Sequence, residues 1–149
     1  MAERLLNDQI VTQVRDAFDK QLKSPVHVLF FGKEDDCDYC GDTRQLVEEV
    51  VSISDKLSLE VHDLEAEGDL ARAYNVERAP GLVIAAKDGE EIRDLGIRFS
   101  GIPSGYEFSS LLQSLILVSQ RDSGLEKKTR QTLAALKDPV NLLVFTTPT

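Results

Sequence analysis

The chain of 149 residues has the length of one globular domain, and its 42% hydrophobic and 29% charged residues indicate a packed core rather than disorder. Its formal net charge of -9 argues against nucleic acid as the main partner, because the 17 basic residues are interspersed with 26 acidic ones. No apolar run is long enough to cross a bilayer, and residues 1–10 lack the apolar stretch of a secretory signal, so we expect a cytoplasmic protein that does not bind membranes.

The first predicted elements are a helix, a buried strand and a second helix. Apolar residues recur every four positions from Leu6 to Leu22, which predicts an amphipathic helix ended by Ser24-Pro25. The short apolar run from Val26 to Phe31, which stops at Gly32, is typical of a strand buried on both faces. After the two cysteines, the apolar stripe from Leu46 to Ile53 predicts the next helix.

The middle of the chain predicts three further strands and two further helices. These are a half-exposed strand over Leu57 to Val61, a helix over Glu65 to Tyr74, a buried strand over Leu82 to Ala86, a hairpin turn at Asp88-Gly89, a strand carrying Leu95, Ile97 and Phe99 with a bulge between Ile92 and Leu95, and a helix over Phe108 to Ile116. The order is that of an α/β protein with a four-stranded mixed sheet, flanked by helices on both faces and preceded by an extra N-terminal helix.

The last part of the chain reads as a second, incomplete unit. Ser123 can cap a helix that carries Leu133, and Asp138-Pro139 ends it. Val140 to Phe145 then repeats the pattern of a proline followed by a buried strand. We therefore predict a unit over 1–120, and over 121–149 a linker helix and the first strand of a truncated second unit. Exposed apolar segments attract partners, so we expect a homo-oligomer through residues 140–145.

The chemistry of the chain points to Cys37-Asp38-Tyr39-Cys40. In a reducing compartment a close cysteine pair is catalytic or metal-binding rather than structural, and this spacing puts the sulfurs one helical turn apart. The start of a helix favours a thiolate, so Cys37 is the expected nucleophile and Cys40 the residue that resolves the mixed disulfide. We predict a thiol–disulfide oxidoreductase that exchanges protein disulfides and needs no cofactor.

Four carboxylates lie close to Cys37 in sequence, and they oppose formation of the thiolate. They are Glu34, Asp35, Asp36 and Asp38. We expect Lys33 and Arg44 to offset them in part. The resulting hypothesis is a Cys37 less acidic, and a cysteine pair more reducing, than in strongly oxidising relatives.

Three other functions remain open at this point. A metal site would need two more ligands, for which only His27 and His62 are available, both on predicted strands, and redox exchange is favoured over it. A redox-inactive binding or assembly module would leave the cysteines idle. Glutathione-linked activity would need a cation to hold the glutathione carboxylates, and near the cysteines only Lys33 offers one.

Several segments together resemble the thioredoxin superfamily. They are Cys37-Asp38-Tyr39-Cys40 after a strand, Tyr74-Asn75-Val76 followed by Ala79-Pro80, and Lys87-Asp88-Gly89-Glu90 in the hairpin. More closely, the stretches 99–108 and 140–149 resemble the protein disulfide oxidoreductases, glutaredoxin-like proteins with two thioredoxin-fold units in tandem. The resemblance covers essentially the whole chain.

The resemblance implies a thioredoxin-like fold and a substrate groove. Pro80 would be cis and would face the cysteines where the substrate backbone binds, with Ala79, Asp38 and Tyr39 as further substrate contacts. Ala79 is smaller than the residue common in thioredoxins, which widens the groove. The implied partners are protein disulfide substrates and a reductant, either a small thiol or a protein like thioredoxin reductase.

Overall fold

The computed structural model describes residues 3–147, which form five helices and four strands. The helices are α1 (Asp8–Gln21), α2 (Cys40–Val51), α3 (Gly68–Ala73), α4 (Tyr106–Gln120) and α5 (Lys127–Ala134), and the strands are β1 (Val26–Gly32), β2 (Leu57–Asp63), β3 (Gly81–Asp88) and β4 (Glu91–Ser100). Among the residues described, no helix has both the length and the apolar character needed to cross a bilayer.

The four strands form one mixed sheet in the order β2-β1-β3-β4. β1 runs parallel to β2 and antiparallel to β3, and β3 pairs with β4 as a hairpin. All seven residues of β1 are buried, as the unbroken apolar run predicts. The predicted thioredoxin-like architecture, with four mixed strands, flanking helices and an extra N-terminal helix, is confirmed.

Two apolar clusters cover the two faces of the sheet. The larger one joins α1, α2 and α4 to alternate strand residues such as Val28, Phe30 and Ile84. The smaller one packs α3 against the intervening residues, among them Phe31 and Val83. Because both faces of the central strands are covered, β1 and β3 are fixed in register, and their ends hold the connecting loops in place.

Two predicted boundaries differ from the structure for local reasons. α3 begins at Gly68 rather than Glu65, because Asp63 Oδ1 accepts the amide hydrogens of Glu65 (2.9 Å) and Ala66 (2.8 Å) and holds this stretch as a turn. The predicted bulge is present but lies at Leu95 and Gly96: Ile84 pairs with Ile97 while Ala85 pairs with Asp94. Gly96 has a φ of 83°, which glycine adopts at little cost.

Residues 121–147 differ from the prediction in two respects. α5 is present, but its N-cap is Glu126; Ser123 instead accepts the Leu125 amide hydrogen at 3.3 Å. Val140 to Phe145 pairs with no strand in the described part of the chain, and its large apolar side chains are 68–91% exposed. The division into 1–120 and 121–149 stays a prediction, and Met1, Ala2, Pro148 and Thr149 lie outside the described residues.

Candidate redox site

The site lies where β1 ends and α2 begins. A side chain at Gly32 would come within 2.6 Å of the Phe30 ring, so a larger residue here would force that ring to shift. The chain then runs through a loop to Cys37 and Cys40, whose sulfurs are joined in a disulfide with the Cα atoms 5.5 Å apart. This separation is the usual one for a disulfide, so the bond forms with the local backbone in place.

The two sulfur-bearing residues differ in accessibility. Cys37 is half-buried, whereas Cys40 is only 5% exposed, and the Lys33 amide approaches Cys40 Sγ at 3.4 Å. A partner can therefore reach the outer residue of the pair, while the inner one is shielded. This asymmetry is what a nucleophile and a resolving thiol require.

α2 begins one helical turn later than the cysteine spacing predicts. Cys40 is its first residue, Tyr39 is the N-cap, and both the amide and the hydroxyl of Thr43 donate to the Tyr39 carbonyl oxygen. Cys37 precedes the helix by three residues. Its sulfur is bonded to that of the first helical residue and so remains at the positive end of the helix dipole, which acts over about one turn.

The two cations that we expected to offset the carboxylates near Cys37 form their ion pairs elsewhere. Lys33 Nζ lies 2.7 Å from Glu65 Oε1, and this pairing raises the pKa of Lys33. Arg44 Nε lies 2.7 Å from Glu48 Oε1. The residues Glu34, Asp35, Asp36 and Asp38, called here the acidic loop, are exposed and form no ion pair within residues 3–147. Asp36 nevertheless adds to the rise in the pKa of Lys33, so this lysine acts on the acidic loop across space rather than through an ion pair.

Pro80 belongs to the same end of the sheet as the cysteines. The Ala79–Pro80 bond is cis, as the resemblance implies. Gly81 follows it and pairs with Phe31 near the end of β1, and a side chain at Gly81 would come within 2.6 Å of Val76. The Gly101 amide donates to the Pro80 carbonyl oxygen at 2.9 Å and ties this turn to the loop after β4. The Ala79–Pro80 turn thus lies at the start of β3, at the end of the sheet where β1 leads into the loop that carries Cys37.

Of the four residues predicted to contact substrate, only Pro80 is buried. Asp38 and Tyr39 are exposed, the latter by 58%, while Ala79 is half-buried and Pro80 is buried. Their roles, like the assignment of nucleophile and resolving cysteine, stay predictions.

One cation at the Pro80 side was missed by reasoning from the sequence. Arg78, just before Ala79, is exposed and lines a cavity of about 310 Å³ that Arg98 also lines. Arg98 is held by Asp94 Oδ1 at 2.8 Å and by the Tyr74 carbonyl oxygen at 2.6 Å. Its place in the sequence, directly before Ala79-Pro80, was the feature that could have identified Arg78. Lys33, the candidate glutathione anchor, is turned towards Glu65 instead.

Both histidines are held by neighbouring side chains, and His62 lines the same cavity as Cys40. His27 is buried, its Nδ1 lies 2.7 Å from Ser58 Oγ, and burial lowers its pKa despite the nearby Glu60 carboxylate. His62 lies between Glu60 and Glu67, at 3.1 and 2.9 Å. Within residues 3–147, no three His, Cys, Asp or Glu side chains are arranged to hold a metal ion.

Two solved structures of redox proteins are similar to this chain. It is similar to a protein disulfide oxidoreductase from Aeropyrum pernix, with 28% identity and a TM-score of 0.73, over 90% of this chain and 57% of that chain. It is also similar to the alkylhydroperoxide reductase AhpF from Enterococcus faecalis, with 26% identity and a TM-score of 0.78, over 90% of this chain and 62% of that one.

The curated relatives of this chain also carry the names of redox enzymes. The chain is 27% identical over 122 residues to the alkyl hydroperoxide reductase F protein of Pseudomonas aeruginosa, covering 82% of this chain and 20% of that protein. It is 36% identical over 91 residues to an NADH dehydrogenase of Bacillus subtilis, covering 61% of this chain and 15% of that protein. The chain thus spans a fifth or less of these relatives. No protein-family model matches it. The predicted resemblance to disulfide oxidoreductases is confirmed, and the relatives that this chain matches carry the names of oxidoreductases.

Proposed function

We propose that the chain is a thiol–disulfide exchange unit that reduces disulfides of partner proteins. The Cys37 thiolate attacks a partner disulfide, forming a mixed disulfide and releasing one partner thiolate. Cys40 then attacks the Cys37 sulfur, the bond to the partner breaks, and the partner leaves reduced while Cys37–Cys40 is oxidised. The observation that carries this proposal is the contrast between half-buried Cys37 and shielded Cys40 in one disulfide.

The proposed substrate contacts are those that the resemblance implies. Tyr39 and Asp38, which lie between the two cysteines in sequence, offer an exposed aromatic surface and an exposed charge, and Ala79 and Pro80 would form the opposite wall of the groove. The small Ala79 side chain leaves room for a substrate backbone. The acidic loop supports the reducing direction, because negative charge disfavours the Cys37 thiolate.

Electrons must return to the cysteine pair from outside the chain. The relatives' names, alkyl hydroperoxide reductase and NADH dehydrogenase, support a reductase-linked source. We therefore infer a reductant that is either a protein like thioredoxin reductase or a small thiol, acting in the cytoplasm. We further propose that 121–149 is the linker and first strand of a second unit, and that residues 140–145 associate with another copy of the chain.

The test is reduction of insulin disulfides by dithiothreitol in the presence of the chain. Cys37→Ser should lower turnover by at least about 10³-fold, since the attacking thiolate is gone. Reduced Cys40→Ser, mixed with insulin after dithiothreitol has been removed, should still attack but should accumulate the mixed disulfide, visible by mass spectrometry of the intact protein. Equal turnover by Cys37→Ser and the natural chain would overturn the proposal in favour of a redox-inactive binding module.

A further inference from the structure

Arg78 presents an unpaired positive charge at the redox end of the sheet, and the inference drawn from it rests on the function proposed above. Its side chain is exposed and forms neither an ion pair nor a hydrogen bond within residues 3–147. The basic residues of the neighbouring segments are each paired with a carboxylate: Lys33 with Glu65, Arg44 with Glu48, Arg72 with Asp69 and Arg98 with Asp94. Among the described residues, Arg78 is therefore the cation at this end of the sheet whose charge is left for a partner.

The loop that carries Arg78 is held by backbone hydrogen bonds on both sides of it. Before Arg78, the Val76 amide donates to the Ala71 carbonyl oxygen at 2.8 Å. After it, the Pro80 carbonyl oxygen accepts the Gly101 amide hydrogen at 2.9 Å. The backbone is thus fixed while the long side chain reaches into solvent. An arginine on a fixed loop loses less conformational freedom on binding than one on a mobile loop, so more of its interaction energy is kept.

Three charged residues line the cavity of about 310 Å³ beside this loop, and Arg78 is the one best suited to bind a partner. Arg98 is already paired, whereas Glu77 and Arg78 are exposed and form no ion pair with each other. The guanidinium of arginine is weakly hydrated and presents five donors, and arginine is enriched in protein interfaces from which glutamate is depleted. Asn75 and Ser100 add polar groups to the same lining.

Opposite charges stand on the two loops that meet at this end of the sheet. The acidic loop follows β1, and Arg78 precedes β3, the strand that pairs with β1. Cys37 and Ala79, one from each loop, pack against the same apolar cluster. The net charge of -9 and the acidic loop repel an acidic partner at long range. At contact distance Arg78 can bind one acidic side chain, so the position of that side chain fixes the partner's orientation.

We propose that Arg78 determines substrate specificity by binding an acidic side chain that the partner protein carries close to the attacked cysteine. Arg78 lies two residues before Pro80, a span of about 7 Å at most, so the acidic residue stands within about three positions of that cysteine. The ion pair holds the partner segment at the start of β3 while Cys37 attacks the partner sulfur. Arg78 takes no part in the bond changes and selects which disulfides are attacked.

The test is the charge reversal Arg78→Glu, read on three matched peptides. Each peptide has one cysteine joined to a thiopyridine by a disulfide, with aspartate, asparagine or lysine two positions to either side of that cysteine. The reduced chain is mixed with each peptide after dithiothreitol has been removed, and attack by Cys37 on the peptide sulfur releases thiopyridone, which is followed by its absorbance. A change in Cys37 itself would alter all three rates by the same factor, so the ratio of the aspartate rate to the lysine rate is the measure.

We expect Arg78→Glu to lower the rate with the aspartate peptide by about 5-fold, because a favourable exposed ion pair contributes up to about 1 kcal/mol. The rate with the lysine peptide should rise by a similar factor, since glutamate attracts the charge that arginine repels. The rate with the asparagine peptide reports whether the variant is folded and Cys37 is reactive. In 1 M salt, where the screening length is about 3 Å, the change in the ratio should shrink.

The matched control is Arg15→Glu. Arg15 lies on α1, is exposed and likewise belongs to no ion pair within residues 3–147, so the net charge changes by the same amount while the ratio should stay as in the natural chain. An unchanged ratio in Arg78→Glu, an equal change in both variants, or a change that persists in 1 M salt would each overturn the inference and leave the proposed function standing. If the natural chain releases thiopyridone from none of the peptides, the proposed function itself fails, and this inference with it.

Discussion

The two ends of the sheet are built in opposite ways. At the end away from the disulfide, polar groups are matched: buried Ser119 donates to the Ser24 carbonyl oxygen at 2.7 Å and accepts the Lys23 amide at 2.8 Å. Arg121, just after α4, reaches three carbonyl oxygens and one carboxylate. At the redox end the acidic loop points like charges into solvent without partners among the described residues. One end therefore holds the fold together, and the other keeps its groups free to react.

This contrast separates stability from reactivity in the molecule. At the far end, the hydrogen bonds of Arg121 join the α1–β1 loop, the β3–β4 hairpin and the end of α4, which are distant in sequence. The redox end is held by the backbone bond from Gly101 to Pro80 and by pairs such as Lys33 with Glu65, while the acidic loop takes part in no ion pair among residues 3–147. We expect substitutions at the far end to lower the free energy of unfolding without altering the rate of disulfide exchange. Substitutions at the redox end should alter the rate of exchange and leave the free energy of unfolding nearly unchanged.

The largest stability effect is expected for Arg121→Ala. Its guanidinium donates to the carbonyl oxygens of Val118, Pro25 and Lys87 and to Asp88, with distances of 2.6–3.1 Å. Losing these charge-assisted bonds should lower the free energy of unfolding by about 2–3 kcal/mol, measured by urea denaturation. Disulfide exchange by the folded variant should stay at the natural rate.

The matched control is Arg93→Ala. Arg93 contacts the other oxygen of Asp88 at 3.2 Å, but its side chain is half exposed, and exposed pairs contribute little. Its removal should leave the unfolding midpoint nearly unchanged. Equal losses in the two variants would show that Asp88 alone matters, and a slower exchange in Arg121→Ala would break the separation of the two ends.

A smaller, pH-dependent effect is expected at His27. Burial lowers the pKa of His27 below its ordinary value of 6.5, with Glu60 opposing this and Lys87 and His62 adding to it. The unfolded chain therefore binds the proton first as the pH falls. The contribution of His27 is complete above about pH 6.5 and is lost below it, by at most about 1.4 kcal/mol per pH unit.

Urea unfolding between pH 5 and 8 measures this slope. His27→Asn keeps a polar atom near Ser58 Oγ but removes the titration, so its unfolding free energy should be flatter in this range. Glu49 gives an internal reference: hydrogen bonds from Gln45, Leu5 and Leu6 outweigh its burial and lower its pKa, so its contribution is lost only at more acidic pH. Parallel curves for His27→Asn and the natural chain would contradict the assignment.

Most of the fold could be predicted from the sequence because it depends on local pattern. The unbroken apolar run of β1 and the C-x-x-C that follows it indicated the central strand and the site. Ion pairs between residues distant in sequence could not be predicted. Lys33, for example, pairs with Glu65, 32 residues away, rather than with a carboxylate of the acidic loop. The parallel register that sets Asp63 beside Gly32 could not be predicted either, because hydrophobic periodicity does not show how two separate strands align. Local pattern determines the elements, while side-chain pairing depends on which strand ends meet.

The smallest effect is expected for neutralising the acidic loop with Asp36→Asn and Asp38→Asn together. Asparagine accepts the positive φ of 52° at position 36, so the backbone is unchanged. An exposed charge about 8 Å from a thiolate costs roughly 0.5 kcal/mol in water, so the pKa of Cys37 should fall by less than about one unit and the pair should become more oxidising. Thiol titration should show this shift shrinking in 1 M salt, where the screening length is about 3 Å.

The control is Asp19→Asn, which removes an exposed carboxylate on α1 and should leave the pKa of Cys37 unchanged. A shift of the same size in that control, or one that survives high salt, would mean that net charge or a change in structure, rather than the acidic loop, governs the thiol.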